Sequence, residues 1–180
     1  MIRFFDILFS IISLIFFSPL FFLIFFILFF NNSSPLFFQE RVGLNLKNFK
    51  LIKFRTMHIG VRSAATHLIN PSKITPFGFF LRKFKLDELP QLLNVLIGDM
   101  SLVGPRPCLS NQKRLIIERK KRGIYKVKPG ITGLAQVSGI NMRLPVLLAK
   151  TDLKMIAQTN LFYYFYYIFK TVLLIFRKEL

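Results

Sequence analysis

The stretch from Ile7 to Phe30 holds no charged residue in 24 positions and carries Ser18-Pro19 at its middle. As one straight helix it would run about 36 Å, enough to cross a hydrocarbon core of roughly 30 Å. Proline removes a helical hydrogen bond and crowds the preceding turn, so the helix is expected to break at Ser18-Pro19. Two arrangements fit. Hydropathy alone favours a kinked spanning helix; the alternative is a re-entrant pair of half-helices that enters and leaves by one face. A secretory leader fits poorly, because the apolar run is too long and the residues ahead of it set a single Arg3 against Asp6.

The chain has 180 residues, is 53% hydrophobic with 23 Phe, and bears a formal net charge of +18. Of its 26 basic residues only Arg3 lies within the first 30, so the positive-inside bias places the remainder on the cytoplasmic side. High apolar content combined with strong positive charge points to a membrane surface or an anionic substrate. The single cysteine, Cys108, excludes an intramolecular disulfide and a cysteine-based zinc site.

Carboxylates are scarce, eight in all, and three of them fall in Leu86 to Pro107, LDELPQLLNVLIGDMSLVGPRP. Gln91 to Ile97 reads as a short helix with Pro90 in its first turn and Gly98 at its exit. Asp87-Glu88 then stands at a helix N-terminus. It is either a plain N-cap or a pair kept ionised by the backbone N–H groups, available as nucleophile or metal ligand. Pro105 and Pro107 restrict the backbone on both sides of Arg106, an arrangement suited to a phosphate-binding guanidinium.

Leu36 to Met57 reads as a β-hairpin-like region with a turn near Gly43-Leu44-Asn45. Lys53 and Arg55 share one strand face, as a solvated pair or as a phosphate clamp. A short helix is assigned to Arg62–Leu68. Ile74 to Leu86 interleaves phenylalanines with Arg82, Lys83 and Lys85. This pattern fits an interfacial segment better than a platform for single-stranded nucleic acid. Leu109 to Gly123 reads as a basic helix with a solvated face and no site. Pro129 to Gly139, PGITGLAQVSG, reads as a turn and short strand whose glycines allow close backbone approach. Leu161 to Phe176 carries tyrosines suited to the headgroup level and is expected to lie on the membrane surface.

These segments occur in an order that resembles the bacterial sugar transferases, the monotopic phosphoglycosyl transferases. The resemblance rests on RFFDILFSIISLIFFSP (Arg3 to Pro19), FQERVGLNLKNFKLIKFRTM (Phe38 to Met57), Ile74 to Pro107 and PGITGLAQVSG. It implies transfer of sugar-1-phosphate from a UDP-sugar to undecaprenyl phosphate with release of UMP, starting a lipid-linked glycan such as O-antigen, capsule or exopolysaccharide. Asp87 matches the family's nucleophile, which forms a phosphosugar-aspartyl intermediate, and Glu88 its partner. Mg²⁺ is the implied cofactor, held by Asp87 and Glu88. Lys53, Arg55, Arg82 and Arg106 are implied phosphate contacts, with Gly133, Gln136 and Gly139 in a nucleotide-sugar loop.

The resemblance also selects the re-entrant anchor, broken at Ser18 and Pro19. The expected architecture is α+β and membrane-anchored: residues 1–30 as the re-entrant helix, and residues 31–180 as a cytoplasmic catalytic domain with a small β-hairpin and surface-lying amphipathic helices. It would sit in the bacterial inner membrane, with membrane lipid as a partner and no nucleic acid. The chain would be a minimal version, without the extra N-terminal membrane domain of larger relatives. Asp99 becomes a turn residue. Ile140 stands where the family commonly has arginine, a contact that Arg143 would have to replace. Ala65-Thr66-His67-Leu68 hints at an N-acetylated hexosamine or its 6-deoxy form. The alternative to an enzyme is a non-catalytic basic module that coats anionic membrane.

Overall fold

The computed structural model describes residues 1–32, 34–60 and 71–177. The expected helix at Arg62–Leu68, and with it the Ala65–Leu68 hint to the sugar, lies outside the described residues.

The apolar N-terminal stretch forms two helices, α1 (Ile2–Phe16) and α2 (Ser18–Asn32), bent by 64° at their junction. The break falls at Phe17, one residue before the expected Ser18-Pro19. Pro19 occupies the second position of α2, where its missing N–H has no intrahelical acceptor to lose, and the Ser18 hydroxyl donates to the Ile15 carbonyl at 2.8 Å. Among the described residues no single helix is long and apolar enough to cross a membrane, whereas α1 and α2 qualify together. Both leave large apolar side chains exposed, among them Phe4, Ile15, Phe16, Phe22, Phe26 and Phe30.

Strands β1 (Leu36–Val42) and β2 (Asn48–Phe54) form the antiparallel hairpin, in a register that pairs Gln39 with Leu51. Both faces of β2 are covered. Leu51 packs with Val95 and Met100, whereas Phe54 packs with Ile24, Leu28 and Leu81. The hairpin is thus held between helix α4 (Gln91–Ile97) on one side and α2 with helix α3 (Pro76–Lys83) on the other. The Thr75 hydroxyl caps α3 by accepting from the Gly78 amide. Among the described residues no third strand pairs with the outer edge of β2. The buried amide of Asn94 stands in for one, accepting from the Ile52 N–H at 2.9 Å and donating to the Lys50 carbonyl at 2.8 Å.

A second sheet pairs β3 (Ser101–Val103) with β4 (Gly130–Thr132) in parallel. Beyond β3 the two chains run so close that a Cβ on Gly104 would lie 2.6 Å from the Lys128 carbonyl oxygen. Helix α5 (Lys113–Lys121), the one-turn helix α6 (Leu134–Val137), α7 (Pro145–Ala157) and α8 (Leu161–Phe176) complete the fold. The short strand expected within Pro129 to Gly139 is β4, and after Thr132 the chain turns helical over Leu134–Val137. Helix α8 buries Tyr164 and Tyr167 and exposes Phe162, Phe169 and Leu173, so it lies along the domain with an apolar outer face.

Polar contacts tie α1 to the rest of the fold. Arg3 of α1 donates to the carbonyls of Val95 and Leu96 at the C-terminal end of α4, where a cation also complements the helix dipole. One turn later the buried Asp6 accepts from the Ser101 hydroxyl, the Leu102 amide and the Tyr164 hydroxyl, each at 2.9 Å. The architecture is α+β, as the sequence implied.

Candidate active site

Asp87 and Glu88 lie in a short 3₁₀ turn, Leu86–Glu88, ahead of α4. The plain N-cap reading does not hold. Pro90 occupies the N-cap position of α4, and no side chain caps that helix. The preceding residue, Lys85, adopts a left-handed backbone conformation (φ 58°) that is uncommon outside glycine, and this turns the acidic pair into the protein interior.

Asp87 is 6% exposed and, among the described residues, accepts no hydrogen bond and makes no ion pair. Burial and the Glu88 carboxylate push its pKa up to about 6, against the pull of Lys53, Arg82 and Lys85. The expectation that a helix N-terminus would hold it ionised is therefore corrected. Desolvation outweighs the helix end, and the cations keep Asp87 titrating below neutrality. Glu88 behaves oppositely. Burial pushes it up, but Arg106, Lys85, Lys53 and Arg41 together hold it below its ordinary value. Its Oε1 accepts from Arg106 Nη2 at 3.2 Å. The adjacent carboxylates thus have opposed environments, the mark of a division of labour.

The cations come from several elements. Lys53 is near the end of β2, and burial lowers its pKa to about 8 although Asp87 pulls it back up. Arg82, at the end of α3, is oriented by its Nε–H to the Thr56 hydroxyl at 2.8 Å. Arg55 does not join them. Its guanidinium donates to the Ser34 carbonyl, the Ser34 hydroxyl and the Leu36 carbonyl, fastening the start of the hairpin instead. Sequence reasoning missed two members. Lys85 passed as part of the interfacial basic pattern, although its place two residues before Asp87 was a usable signal. Arg41 is buried in β1, where nothing in the sequence marks a strand arginine as a core residue. Its pKa is lowered to about 10 by burial and by Arg106.

Arg41, Lys85, Glu88 and Arg106 line a cavity of about 530 Å³, whereas Asp87, Lys53 and Arg82 lie outside its lining. Its remaining wall is largely apolar and includes Phe17 at the anchor break, Ile140 and Met142 after α6, and Leu174 and Ile175 of α8. Gln136 and Gly139 line it; Gly133 does not. A Cβ on Gly133 would lie 2.6 Å from the Gly104 carbonyl oxygen and 2.8 Å from the Met155 sulfur, so that glycine serves close packing beside the loop. Ile140 lines the wall where the resemblance expects arginine, and Arg143, which is exposed, does not reach the cavity. Asp99 sits in the turn after α4, its Oδ2 accepting from Asn94 at 3.4 Å, away from the cluster.

Among the described residues no three His, Cys, Asp or Glu side chains come together as a metal cage. The donors available to Mg²⁺ are Asp87 and Glu88. That set fits an ion held by one or two carboxylates and completed by water and substrate phosphates, not a site formed by protein alone.

The site thus brings together the adjacent carboxylates Asp87 and Glu88, several cations and, beside Glu88, a largely apolar cavity. Residues 1–178 match the bacterial sugar transferase family, and the chain belongs to it. It is similar to the uncharacterized sugar transferase EpsL of Bacillus subtilis, 50% identical over 109 residues, which covers 60% of this chain and 54% of that one. The exopolysaccharide production protein ExoY of Rhizobium meliloti is 35% identical over 188 residues, covering 94% of this chain and 83% of that one. The undecaprenyl-phosphate galactose phosphotransferase of Salmonella typhimurium is 39% identical over 159 residues, covering 77% of this chain and 33% of that one. The chain therefore spans about half the length of EpsL and a third of the Salmonella protein.

Proposed function

We propose that the chain transfers sugar-1-phosphate from a UDP-sugar to undecaprenyl phosphate, starting a lipid-linked glycan. The observation that carries the reading is Asp87: a buried carboxylate with no hydrogen-bonded partner among the described residues, set among Lys53, Arg82 and Lys85. Its oxygen attacks the β-phosphorus of the UDP-sugar while the bond from that phosphorus to the bridging oxygen breaks, and UMP leaves with the bridging oxygen. A phosphate oxygen of the polyprenyl chain then attacks the same phosphorus, the acyl-phosphate bond breaks, and the Asp87 carboxylate is regenerated. Covalent catalysis divides one displacement between two dianionic partners into two easier steps. Mg²⁺, held by Asp87 and Glu88 together with substrate phosphates, would neutralise charge on the transferring group.

Glu88 and Arg106 hold each other at the cavity wall, and Lys53, Arg82, Lys85 and Arg41 supply the positive field that gathers two anionic substrates. The apolar walls formed by Phe17, Ile140, Leu174 and Ile175 suit a polyprenyl tail. The exposed apolar faces of α1, α2 and α8 support an anchor that is re-entrant in the inner membrane, with residues 31–180 in the cytoplasm. The sugar is an N-acetylated hexosamine or a 6-deoxy form.

The test is UMP release by purified protein in detergent, with a panel of UDP-sugars that includes UDP-galactose and UDP-glucose. Release should need undecaprenyl phosphate and Mg²⁺ and disappear in Asp87→Asn. A protein that only coated anionic membrane would bind vesicles equally well with or without the Asp87→Asn substitution and release no UMP from any sugar.

A further inference from the structure

The backbone of Pro105-Arg106-Pro107 is held at three successive carbonyls. Pro105 accepts from the Gly130 amide at 3.0 Å, Arg106 from Arg119 Nη1 at 2.8 Å, and Pro107 from Arg41 Nη1 at 3.1 Å. Prolines on both sides already fix two φ angles, so with the carbonyls fastened the peptide planes cannot rotate. The Arg106 side chain, 39% exposed and among the described residues tied only to Glu88, leaves from a backbone with one available orientation.

Arg119 is the unexpected member. It lies on α5, whose basic face reads from sequence as solvated, yet it is 2% exposed. Its Nε and Nη2 donate to one oxygen of Asp152 at 2.9 and 2.7 Å, and Asp152 is fully buried on α7 with its other oxygen unpartnered. As a stabilising device this is poor. Desolvating two charges costs about as much as their attraction returns, and an apolar pair of similar volume often serves as well or better. What an apolar pair cannot do is use the third edge of the guanidinium fork to hold the Arg106 carbonyl.

We propose that Arg119, oriented by Asp152, is a positioning residue that aims Arg106 at the substrate phosphate. The inference rests on the reading of Arg106 as a phosphate contact in sugar-phosphate transfer. The chain of contacts runs from Asp152 on α7 through Arg119 on α5 to the Arg106 carbonyl, and through the Arg106 side chain to Glu88. Helix α5, none of whose residues lines the cavity, thereby helps to set the direction of a side chain that does.

The test is a cycle that combines the apolar swap Arg119→Met/Asp152→Leu with Arg106→Ala, read as kcat, KM for the UDP-sugar, and thermal unfolding. The swap should lower the unfolding temperature only slightly, by the loss of one donor to the Arg106 carbonyl, and kcat/KM should fall by about tenfold, as for loss of an orienting contact. On the Arg106→Ala background the swap should produce no further loss. An unchanged kcat/KM, or losses that multiply in the combined variant, overturns the proposal. If the swap does not fold, Arg119→Lys, which keeps the charge but not the planar fork, enters the same cycle and is read the same way. Absence of turnover in the unmodified protein overturns the functional reading and this proposal with it, whereas turnover with independent effects overturns the positioning role alone.

Discussion

The Tyr164 hydroxyl donates to Asp6 Oδ1 at 2.9 Å, joining residues 158 positions apart on α1 and α8. The same oxygen accepts from the Ser101 hydroxyl and the Leu102 amide, so one buried carboxylate ties the anchor to β3 and to the C-terminal helix. Tyr164→Phe removes one of three donors and is expected to cost about 1 kcal/mol, whereas Asp6→Ala leaves all three unpaired and should cost at least ~3 kcal/mol. Thermal unfolding in detergent reads both. Equal effects from the two variants would show that Asp6 is not the hub.

Asp87 should trade stability for reactivity. Its folded pKa of about 6 lies above the ordinary value of 3.8, so between those pH values the folded state holds more protons than the unfolded one, and stability falls as pH rises. Above pH 6 the buried charge is a net cost on the order of 3 kcal/mol. Asp87→Asn is therefore expected to raise the unfolding temperature at pH 8, to leave it unchanged at about pH 3.5, where the carboxyl is largely protonated in both states, and to abolish UMP release. A lower unfolding temperature at pH 8 would contradict the assignment.

The pH–rate profile should be bell-shaped. The rising limb reports ionisation of Asp87 near 6, and the falling limb reports loss of the Lys53 charge near 8. Lys53→Arg keeps the cation at high pH, so its falling limb should move upward while the acid limb stays in place. A falling limb unmoved by that substitution would assign it to another group.

Asn94 is expected to be costly to replace although it is remote from the chemistry. Asn94→Leu removes the side-chain partner of the partly buried Ile52 N–H and of the Lys50 carbonyl, a loss of about 1–3 kcal/mol. Asn94→Asp preserves the acceptor but sets a carboxylate against the Lys50 carbonyl, and should be no better above neutral pH. Hydrogen exchange at the Ile52 amide reads the same event locally: it should rise sharply in Asn94→Leu.

The elements read most clearly from sequence are those written in local chemistry. The hairpin within Leu36–Met57, the helix over Gln91–Ile97 and the break beside Pro19 follow from alternation, proline and glycine, and all three form where expected to within a few residues. Lys53 lies near the end of β2, Asp87 and Glu88 ahead of α4, Arg82 in the last turn of α3 and Arg106 after β3, so the candidate residues sit at or just beyond element ends. Arg41, Asn94 and Arg119 were not legible for a common reason: each is a polar residue buried through partners far along the chain. In isolation a strand arginine, a helical asparagine and a lysine-rich helix all read as surface. Arg55 does share a face with Lys53, both cations lying over the Phe37 ring, while its N–H groups are taken up by Ser34 and Leu36.

The bend at Phe17 has a mechanical meaning for a re-entrant anchor. Each of the two helices has 15 residues, or about 22 Å. With a 64° bend, two legs splayed evenly about the bilayer normal descend only ~12 Å, less than half of a hydrocarbon core of ~30 Å. The anchor then occupies area in one leaflet and none in the other, and acts as a wedge. If the pair inserts as proposed, it would expand the one leaflet it enters, most easily where lipid packing is already loose, so binding to small vesicles is expected to exceed binding to large ones of the same composition.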